Sequence, residues 1–471
     1  MRIDRLALGW FLSSVLVSVS VVAGSGLEAG AIRPSPDNPW YWEYQGKTTI
    51  LIGGSDDDNL FQHPQLKEQL DRLKAAGGNY IRNTMSDRRD GGWEVYPYRK
   101  LADGKYDLNQ WNREYWDRFE RMLQWTSQRG IVVQIEVWDR FDYTDQRKPH
   151  WKRHPYNPVN NVNYTAAEAK LRATYRKHPG TNEQPFFHTV PGLQNNSVLL
   201  KYQIARVDKM LSYSLKYPNV LYCMDNETSG DPKWGAFWAA HIHRRAKESG
   251  RHVYVTEMWD AWDLRSPQHA ATFDHPELYD FVDISQNNHN RGDRHWDGLQ
   301  FLRRRLAKRP RPMNAVKIYG ADTGRYGTSQ DGKERFWRLV LGGAASARFH
   351  RPASGLGLSD EAVAHLRAMR AVMERVDLTR GRADARHALL GERAAGEAFL
   401  RYRAGSWYVV YFPRGGAVRL DLTSASGRFR QDWLEIEAGR WSRGAEIAAG
   451  GQAALAAPGK GHSVVVLRRA D

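Results

Sequence analysis

The sequence predicts an α/β fold in which a (β/α)8 TIM barrel is followed by a small C-terminal β-sandwich. Eight short apolar runs alternate with helical patterns over roughly 330 residues, which is typical of a closed parallel barrel. After residue 380 the helical periodicity stops, and short strand-like runs separated by Gly and Pro follow. Polar residues come directly after each apolar run, at the face where such barrels carry their functional groups.

The predicted barrel strands are short and apolar, as expected of strands that are buried on both faces. They are Thr48–Gly53, Asn79–Asn83, Ile131–Val137, Val220–Asp225, His252–Glu257, Phe281–Ser285, Met313–Ile318 and Ala345–Phe349. The helical patterns between and after them are Leu66–Ala76, Trp111–Gln128, Leu199–Lys216, Lys233–Ser249, Trp296–Lys308, Lys333–Leu341 and Glu361–Val376. Gly77, Gly130 and Gly250 end three of these helices, because glycine readily adopts the left-handed conformation of a helix C-terminus.

We divide the chain into a signal peptide over residues 1–31, a barrel over 32–378 and a β-sandwich over 379–471. The predicted sandwich strands are Ala398–Arg403, Trp407–Phe412, Val418–Leu422, Phe429–Glu435 and Ser463–Leu467. Two long loops, 84–108 and 138–198, follow the second and third barrel strands. The aromatic and Asn content of the second of these loops, 138–198, predicts an ordered rim over the barrel mouth.

The N-terminus has the pattern of an export signal. Arg2 and Arg5 precede an apolar stretch over Leu6–Ala23, and small residues lead to Ala31. We expect cleavage near Ala31, with an uncleaved membrane anchor as the alternative, because the stretch has a length close to that of a membrane span. In both cases the functional part lies outside the cytoplasm, in a secreted or periplasmic protein.

The composition excludes several classes of protein. Cys223 is the single cysteine, so no intrachain disulfide forms, and we expect it to be a small buried hydrophobe. The net charge of +16 attracts polyanions, yet the chain has no nucleic-acid motif and no long basic run. The expected partner is therefore a carbohydrate, with acidic glycans included. The 18 Trp residues suit stacking on sugar rings as well as core packing.

Carboxylates, amides, histidines and arginines follow the predicted strands. They include Asp56, Asp57 and Asp58; Arg82; Glu136, Trp138 and Asp139; Asp225, Asn226 and Glu227; Glu257, Trp259 and Asp260; Gln286 and His289; Lys317, Tyr319 and Asp322; and His350 and Arg351. Glycoside hydrolysis needs one protonated carboxyl for the leaving oxygen and one ionised carboxylate that attacks or activates water. This set of residues at one rim provides the side chains for that chemistry.

Asn226-Glu227, at the end of the fourth predicted strand, resembles the acid/base motif of clan A glycoside hydrolases, the cellulase-like barrels. The resemblance covers residues 38–375. It implies that Glu227 is the general acid/base, that Asn226 binds a sugar 2-hydroxyl and that Arg82 orients a nucleophile. The segment after the barrel is similar to a collagen-binding-type β-domain, a name that does not by itself imply collagen binding.

The seventh strand departs from this resemblance. Clan A enzymes carry their nucleophilic Glu at its end, where this chain has Lys317. Three explanations compete: Asp322 serves as the second carboxylate, Glu257 or Glu136 has taken over, or the barrel binds sugar without catalysis. A cation close to Glu227 would lower the pKa of that carboxyl, so a Glu227–Lys317 ion pair opposes a general-acid role. Lys317 could equally neutralise a uronate.

The remaining candidates have structural alternatives of similar weight. Asp57, with its two Asp neighbours, either binds substrate or caps the following helix. His289 and His350 either contact substrate or pack. Trp138, Trp259 and Trp296 are sugar platforms or core residues, and Asp139 and Asp260 are interpreted as loop anchors. Three consecutive Asp lack the spacing of a calcium loop, so we expect no metal and no cofactor.

Taken together, the sequence predicts an exported glycoside hydrolase that degrades a polysaccharide or oligosaccharide, with Glu227 as its acid/base. The alternative is a non-catalytic carbohydrate-binding or surface protein on a degenerate barrel. A lyase that acts on uronates is a third interpretation. The separation of the two carboxyl groups, which decides between retention and inversion, is not encoded in the motif.

Overall fold

The computed structural model describes residues 30–470, apart from residues 87, 90, 146–147, 176–181 and 324–325. The predicted signal peptide therefore falls outside the described residues except at its last two positions. In the part of the chain that is described, no helix is both long enough and apolar enough to cross a membrane.

The strands, in chain order, form an N-terminal antiparallel group, a parallel group with one antiparallel pair inserted among its strands, and a C-terminal group. The first two groups are β1 (Arg33–Pro34), β2 (Trp42–Tyr44), β3 (Lys47–Thr49), β4 (Leu51–Gly54), β5 (Tyr80–Thr84), β6 (Tyr98–Lys100), β7 (Tyr106–Trp111), β8 (Val132–Asp139), β9 (Val220–Asn226), β10 (Val255–Thr256), β11 (Val282–Asp283), β12 (Met313–Asn314) and β13 (Ser346–Phe349). The C-terminal strands are β14 (Arg382–Ala383), β15 (Leu390–Gly391), β16 (Phe399–Arg403), β17 (Trp407–Phe412), β18 (Ala417–Asp421), β19 (Arg428–Glu435), β20 (Arg440–Arg443), β21 (Ile447–Ala448), β22 (Gln452–Ala456) and β23 (Ser463–Arg469).

The α-helices lie between the parallel strands and after the last of them. They are α1 (Leu66–Ala75), α2 (Arg113–Arg129), α3 (His150–Arg153), α4 (Ala166–Ala169), α5 (Ser197–Ser214), α6 (Pro232–Glu248), α7 (Ala270–Phe273), α8 (Gly292–Arg305), α9 (Ser329–Gly342) and α10 (Asp360–Met373). Each predicted helical pattern corresponds to one of the longer helices. The weakly helical segment after the fifth strand contains only the single turn α7.

The parallel strands form a curled sheet consistent with a TIM barrel. Six of them are hydrogen-bonded in the order β10-β9-β8-β5-β4-β13, and β11 pairs with β12. The Asp280 amide donates to the Val255 carbonyl at 2.9 Å, and the Ala345 amide donates to the Met313 carbonyl at 2.8 Å. These bonds join the two-stranded sheet to both edges of the six-stranded sheet. Each of the eight predicted strands overlaps one observed parallel strand.

Burial explains why these runs are strands and why the helices pack outside them. Every residue of β4, β5, β8, β9 and β13 is buried, as expected of a sheet that is covered on both faces. Helix α2 begins at Asn112, whose side chain accepts from the Glu114 amide, and ends at Gly130 with a left-handed φ of 65°. Its apolar face packs into the core.

The long loop after β8 is built around buried aromatic rings, as predicted for an ordered rim. Tyr143 stacks on Phe186 with ring centroids 3.7 Å apart, and Tyr156 lies against the same ring at 5.3 Å. The loop also contains the short helices α3 and α4. This packing holds the loop over the carboxyl ends of the strands, where the candidate site lies.

The C-terminal segment consists of antiparallel strands around a second apolar core. One sheet has the order β14-β16-β17-β23-β19-β20, with β21 also paired to β19, and the other has the order β15-β18-β22. Arg401 ties this segment to the barrel, because its guanidinium donates to the carbonyls of Leu341 and Leu378. The similarity to a collagen-binding-type domain stays a prediction.

Candidate active site

A pocket of about 430 Å³ opens at the carboxyl ends of the parallel strands. This is the face at which (β/α)8 barrels carry their reacting groups. The lining includes Asp58, Arg88, Lys148, Asn226, Glu227, Lys317, Tyr319, His350 and Arg351. A second cavity of about 210 Å³, near the opposite end of β9, has no carboxylate in its lining.

Glu227 follows directly after β9 and has a left-handed φ of 58°. This conformation costs a non-glycine residue on the order of 1–3 kcal/mol, and it persists only where the surroundings impose it. The next residue, Thr228, pairs with the segment that follows β10, since its amide donates to the Met258 carbonyl at 2.8 Å. The backbone thus kinks at one residue, and the carboxylate faces the pocket.

Four side chains hold the Glu227 carboxylate. Lys317 Nζ lies 2.7 Å from Oε1, the Tyr319 hydroxyl donates to Oε1 at 2.8 Å, and Gln286 Nε2 donates to it at 3.1 Å. Arg140 Nη2 lies 3.6 Å from Oε2. The Glu227 side chain is 15% exposed, so one carboxylate edge remains accessible from the pocket.

The predicted Glu227–Lys317 ion pair is confirmed. Burial alone would raise the pKa of Glu227, but the charges of Lys317 and Arg140 and the hydrogen bonds from Lys317 and Tyr319 hold it well below the usual range for glutamate. Glu227 is therefore ionised at neutral pH. This state suits a nucleophile or general base and opposes the general-acid half of the role that the resemblance implied.

Asn226 lies beside Glu227 and belongs to the same network. Its Oδ1 accepts from Lys317 Nζ, and its Nδ2 donates to Asp139 Oδ2 at 2.9 Å. The structure thus brings together three of the predicted site residues, Asn226, Glu227 and Lys317, in one pocket. They come from β9 and from the segment after β12.

Arg82 and Glu136 form a buried ion pair beneath the pocket. Arg82 Nε donates to Glu136 Oε1 at 2.6 Å, and Arg82 Nη1 contacts Asp58. The side chains of Arg82 and Glu136 are both fully buried. This removes Glu136 as the carboxylate facing Glu227, because its oxygens are occupied by a guanidinium and do not reach the pocket surface. Arg82 itself contacts Asp58 and Glu136 rather than the pocket.

Glu257 also lies away from the pocket. Its Oε1 accepts from the backbone amides of Asp225 and Met258 at 3.0 and 2.9 Å, and its Oε2 lies against Gly235 of α6. Burial and the charge of Asp225 raise the pKa of Glu257 well above the usual range. The side chain points between the sheet and α6, so Glu257 cannot act on a sugar bound at Glu227.

Asp322 is exposed and caps a turn before α9. Its Oδ1 accepts from the Ser329 amide at 2.9 Å, and its Oδ2 accepts from the Ser329 hydroxyl. It is absent from the pocket lining. None of the three carboxylates proposed as partners from the sequence therefore faces Glu227 in the described structure.

Asp322→Ala should leave turnover unchanged and move the unfolding midpoint only slightly, because only an exposed capping interaction is lost. Asp421→Ala is the control, since Asp421 Oδ1 likewise accepts from a backbone amide and a hydroxyl, those of Thr423, at 2.8 and 2.6 Å. Denaturant unfolding and steady-state kinetics measure both effects. A large loss of turnover in Asp322→Ala alone would contradict the capping assignment and restore Asp322 as a catalytic candidate.

The predicted tryptophan platforms are core residues. Trp138 is enclosed by Phe186, Trp234 and Trp238, and Trp259 Nε1 donates to the Thr272 hydroxyl at 2.8 Å. Both indoles are at most 3% exposed, and Trp296 is fully buried. Because no ring face is open to a sugar, the core-packing alternative describes these three residues.

Trp262 has an exposed indole ring and was not among the site residues predicted from the sequence. It is 58% exposed and stacks on His289 with centroids 4.1 Å apart. His289 also lies 4.6 Å from the ring of Tyr319, which lines the pocket. The predicted site residue His289 thus connects an open aromatic face to the Glu227 network. The Trp-Asp-Ala-Trp sequence after β10 is the feature of the sequence from which an aromatic contribution by Trp262 could have been predicted.

Asp57 does not line the pocket, but its neighbour Asp58 does. Asp57 Oδ1 accepts from the Asp58 amide at 2.7 Å, and burial together with the charge of Asp58 raises the pKa of Asp57 to about 6. Asp58 contacts Arg82 and, at 2.8 Å, Arg351. The carboxylate of this Asp run that lines the pocket is therefore that of Asp58.

The described residues contain one group with spacing suitable for a metal, His365, Glu437 and His462. Trp337 Nε1 donates to His365 Nδ1 at 2.9 Å, so the proton of that neutral ring is on Nε2. His462 Nε2 lies 2.8 Å from Gln330 Oε1, an acceptor, and is protonated as well. Both nitrogens that face Glu437 therefore lack a free lone pair, and the group is a hydrogen-bonded cluster between the barrel and the C-terminal sheets.

No family model matches the chain, and no curated protein matches it in sequence. Solved structures do resemble it. A glycoside hydrolase family 5 protein from Bacteroides vulgatus superposes with a TM-score of 0.64 at 15% identity, covering 94% of each chain. A second glycoside hydrolase has a TM-score of 0.63 at 13% identity, covering 94% of this chain and 97% of its own. At these identities the similarity establishes the fold alone, and we conclude that this chain shares the fold of these glycoside hydrolase structures.

Proposed function

We propose that the protein is an exported glycoside hydrolase that cleaves glycosidic bonds of a polysaccharide or oligosaccharide. One observation carries the proposal: an ionised carboxylate, Glu227, is held at a strand end by Lys317, Tyr319 and Gln286 while one edge faces a pocket. Hydrolysis of a glycoside needs such a carboxylate next to the anomeric carbon. The fold of the neighbouring structures is compatible with this chemistry.

In this proposal Glu227 is the nucleophile or base rather than the acid. Lys317 and Arg140 stabilise its charge, which makes proton donation by Glu227 unfavourable at neutral pH. Asn226, the residue expected to bind a sugar 2-hydroxyl, lies at the pocket surface with Lys317 on its Oδ1. Proton donation therefore has to come from another group.

The charge of the pocket supports an acidic glycan as substrate. Its lining contains the cationic side chains Arg88, Lys148, Lys317 and Arg351 but only two carboxylates, those of Asp58 and Glu227. Arg88 also pairs with Asp139 and Asp142 outside the lining, so the support for a uronate carboxylate comes from Lys317 and from the net charge of +16. We therefore expect uronate-containing polymers among the substrates.

A second candidate function is carbohydrate binding without turnover. The observation that favours it is Lys317, a cation at the strand end where the resembled enzymes carry a nucleophilic Glu. In a binding protein the same Lys317–Glu227 pair would only shape a polar surface for sugar hydroxyls. The two functions differ in one measurable property, the release of new reducing ends.

The experiment is a reducing-end assay of the purified mature protein on neutral and uronate-containing polysaccharides. Hydrolysis predicts new reducing ends without ultraviolet absorbance, whereas a lyase would leave an unsaturated, absorbing product. Binding measured by affinity electrophoresis on the same polymers, without any release, would replace hydrolysis by the second candidate. N-terminal sequencing of the exported form tests cleavage near Ala31.

Lys317→Met should move the acidic limb of the pH profile of kcat/KM upward by about 1 to 3 pH units. The required form of Glu227 is the carboxylate, so activity falls as the pH drops through the pKa of Glu227. Removal of Lys317 takes away a cation 2.7 Å from Oε1 and so raises that pKa. Lys333→Met is the control, because Lys333 pairs with Glu361 at 3.3 Å outside the pocket. An unchanged acidic limb in Lys317→Met would contradict the assignment of Glu227.

A further inference from the structure

The guanidinium of Arg140 contacts the carboxylates of both Glu227 and Asp260. Arg140 Nη2 is 3.6 Å from Glu227 Oε2 and 3.1 Å from Asp260 Oδ2. Both contacts are made by the same nitrogen atom. The distance between the two carboxylate oxygens therefore cannot exceed the sum of these two distances. Glycosidase carboxyl pairs are about 5–5.5 Å apart for retention and roughly 6.5–9.5 Å for inversion. This upper limit on the oxygen–oxygen distance lies at the lower edge of the range for inversion, so the geometry favours a retaining pair.

The backbone places Asp260 on the strand end beside Glu227. Trp259 forms a parallel bridge with Thr228, and the Asp260 amide donates to the Thr228 carbonyl at 3.0 Å. Asp260 therefore lies on the segment adjacent to Glu227, slightly further along the strand direction and towards solvent. Asp260 is not among the residues that line the pocket, but its side chain is 38% exposed and shares Arg140 with Glu227, which does line it.

The other carboxylates near the pocket are less suitable partners. Asp58 and Asp139 both contact Arg88, at 3.3 and 3.0 Å, and unlike Asp260 both are buried, so neither is open to solvent. Asp283 is buried and accepts from the Ser285 amide and hydroxyl at 2.8 and 3.0 Å. Among the described residues around Glu227, Asp260 thus combines proximity with access to solvent.

We propose that Asp260 is the proton donor that acts with Glu227, a role that rests on the proposed glycoside hydrolysis. Asp260 transfers its proton to the glycosidic oxygen as the bond from that oxygen to the anomeric carbon breaks. Glu227 Oε2 forms a bond to the same carbon. Water then attacks that carbon and gives a proton to Asp260, and Glu227 leaves as the carboxylate. One water is consumed for each bond that is cleaved.

The protonation states agree with this division of roles. Burial raises the pKa of Asp260, the charge of Arg140 opposes this, and the charge of Glu227 raises it further, so that the net shift is upward. Lys317 is the other charged group that acts on Asp260, and it also opposes the rise. The pKa of Glu227 lies well below its usual range. A pair of carboxyls with pKa values moved in opposite directions is typical of an acid and a nucleophile.

Asp260→Asn tests the proposal with two leaving groups. The probes are 2,4-dinitrophenyl and methyl glycosides of the common hexoses, pentoses and uronic acids, together with the polysaccharides of the reducing-end assay. A dinitrophenolate leaves without a proton, whereas a methoxide or a sugar alkoxide needs one. We expect kcat/KM on methyl glycosides and polymers to fall by about 10²- to 10⁴-fold. For dinitrophenyl glycosides kcat/KM should change by less than about tenfold, because it reports only the first step, whereas kcat falls where the second step, in which Asp260 accepts the proton of water, limits turnover.

Asp263→Asn is the matched control, because Asp263 lies in the same loop and its Oδ1 accepts from the Arg265 amide at 3.0 Å. The pH profile is the second measurement: Asp260→Asn should lose the alkaline limb that the wild type shows. Equal losses on both leaving groups, or an unchanged profile, would overturn the role of Asp260 while leaving hydrolysis intact. A wild type that cleaves none of the probes would overturn hydrolysis and the proton donor together.

Discussion

Glu227→Gln is expected to lower kcat/KM on any hydrolysed glycan on the order of 10³-fold or more. The amide can still accept from Lys317 and Tyr319, so its packing in the pocket is retained. It cannot form the ester-like bond to the anomeric carbon or activate water. Binding of the same glycan should therefore persist while release of reducing ends disappears.

Far-ultraviolet circular dichroism and thermal unfolding check that Glu227→Gln is folded. Glu446→Gln provides a matched control, since Glu446 pairs with Arg428 at 3.0 Å on an exposed C-terminal surface. If Glu227→Gln retained wild-type turnover, the assignment of Glu227 as the reacting carboxylate would be wrong. If wild type and variant bound glycan equally and neither released reducing ends, the binding function would be the correct one.

Arg82→Met should lower the free energy of unfolding by about 3–5 kcal/mol. The substitution removes the cation between Glu136 and Asp58 and leaves two carboxylates buried without it. Arg428→Met is the matched control, because the side chain of Arg428 is 61% exposed and such pairs contribute at most about 1 kcal/mol. Chemical denaturation of both variants measures the difference.

A double variant keeps this test informative if Arg82→Met alone does not fold. Adding Glu136→Met to Arg82→Met removes one of the stranded carboxylates, so part of the lost stability should return. This outcome would support a structural role for the Arg82–Glu136 pair. A small stability change combined with a large loss of turnover would instead make Arg82 or Glu136 part of the reaction.

The alternation of apolar runs and helices was enough to locate all eight parallel strands. The strands at β10, β11 and β12 are nevertheless shorter than predicted, since regular pairing covers only two residues in each. Their flanking residues bond to side chains instead, as when Val316 donates its amide to the Ser285 hydroxyl at 2.9 Å. Hydropathy cannot separate paired backbone from backbone that is satisfied by side chains.

The site was only partly predictable for a geometric reason. Asn226, Glu227 and Lys317 could be expected to meet, because strand ends converge at one face of a barrel. Whether a strand-end carboxylate points into the pocket or towards a helix depends on strand register. Fully apolar strands carry no alternation that reveals the register, so Glu136 and Glu257 were indistinguishable from Glu227 in this respect.

The loop side chains that contact the site could not be predicted from the sequence either. Arg140 and Trp262 contact the site only because the chain beyond β8 and β10 folds back over the pocket. Those conformations are imposed by tertiary packing, such as the Tyr143–Phe186 stack, and not by local propensity. The sequence predicted an ordered loop after β8, but it contained no signal for which side chains of either loop would lie near Glu227.

The central claim is that Glu227 is the carboxylate that reacts at the anomeric carbon. Labelling with 2-deoxy-2-fluoro glycosides and cyclitol epoxides, followed by peptide mass spectrometry, tests it most directly. We predict a covalent adduct on the peptide that contains Glu227, and no adduct in Glu227→Gln. Labelling of a different carboxylate, or steady turnover of the same sugar series with no adduct on any peptide, would contradict the claim.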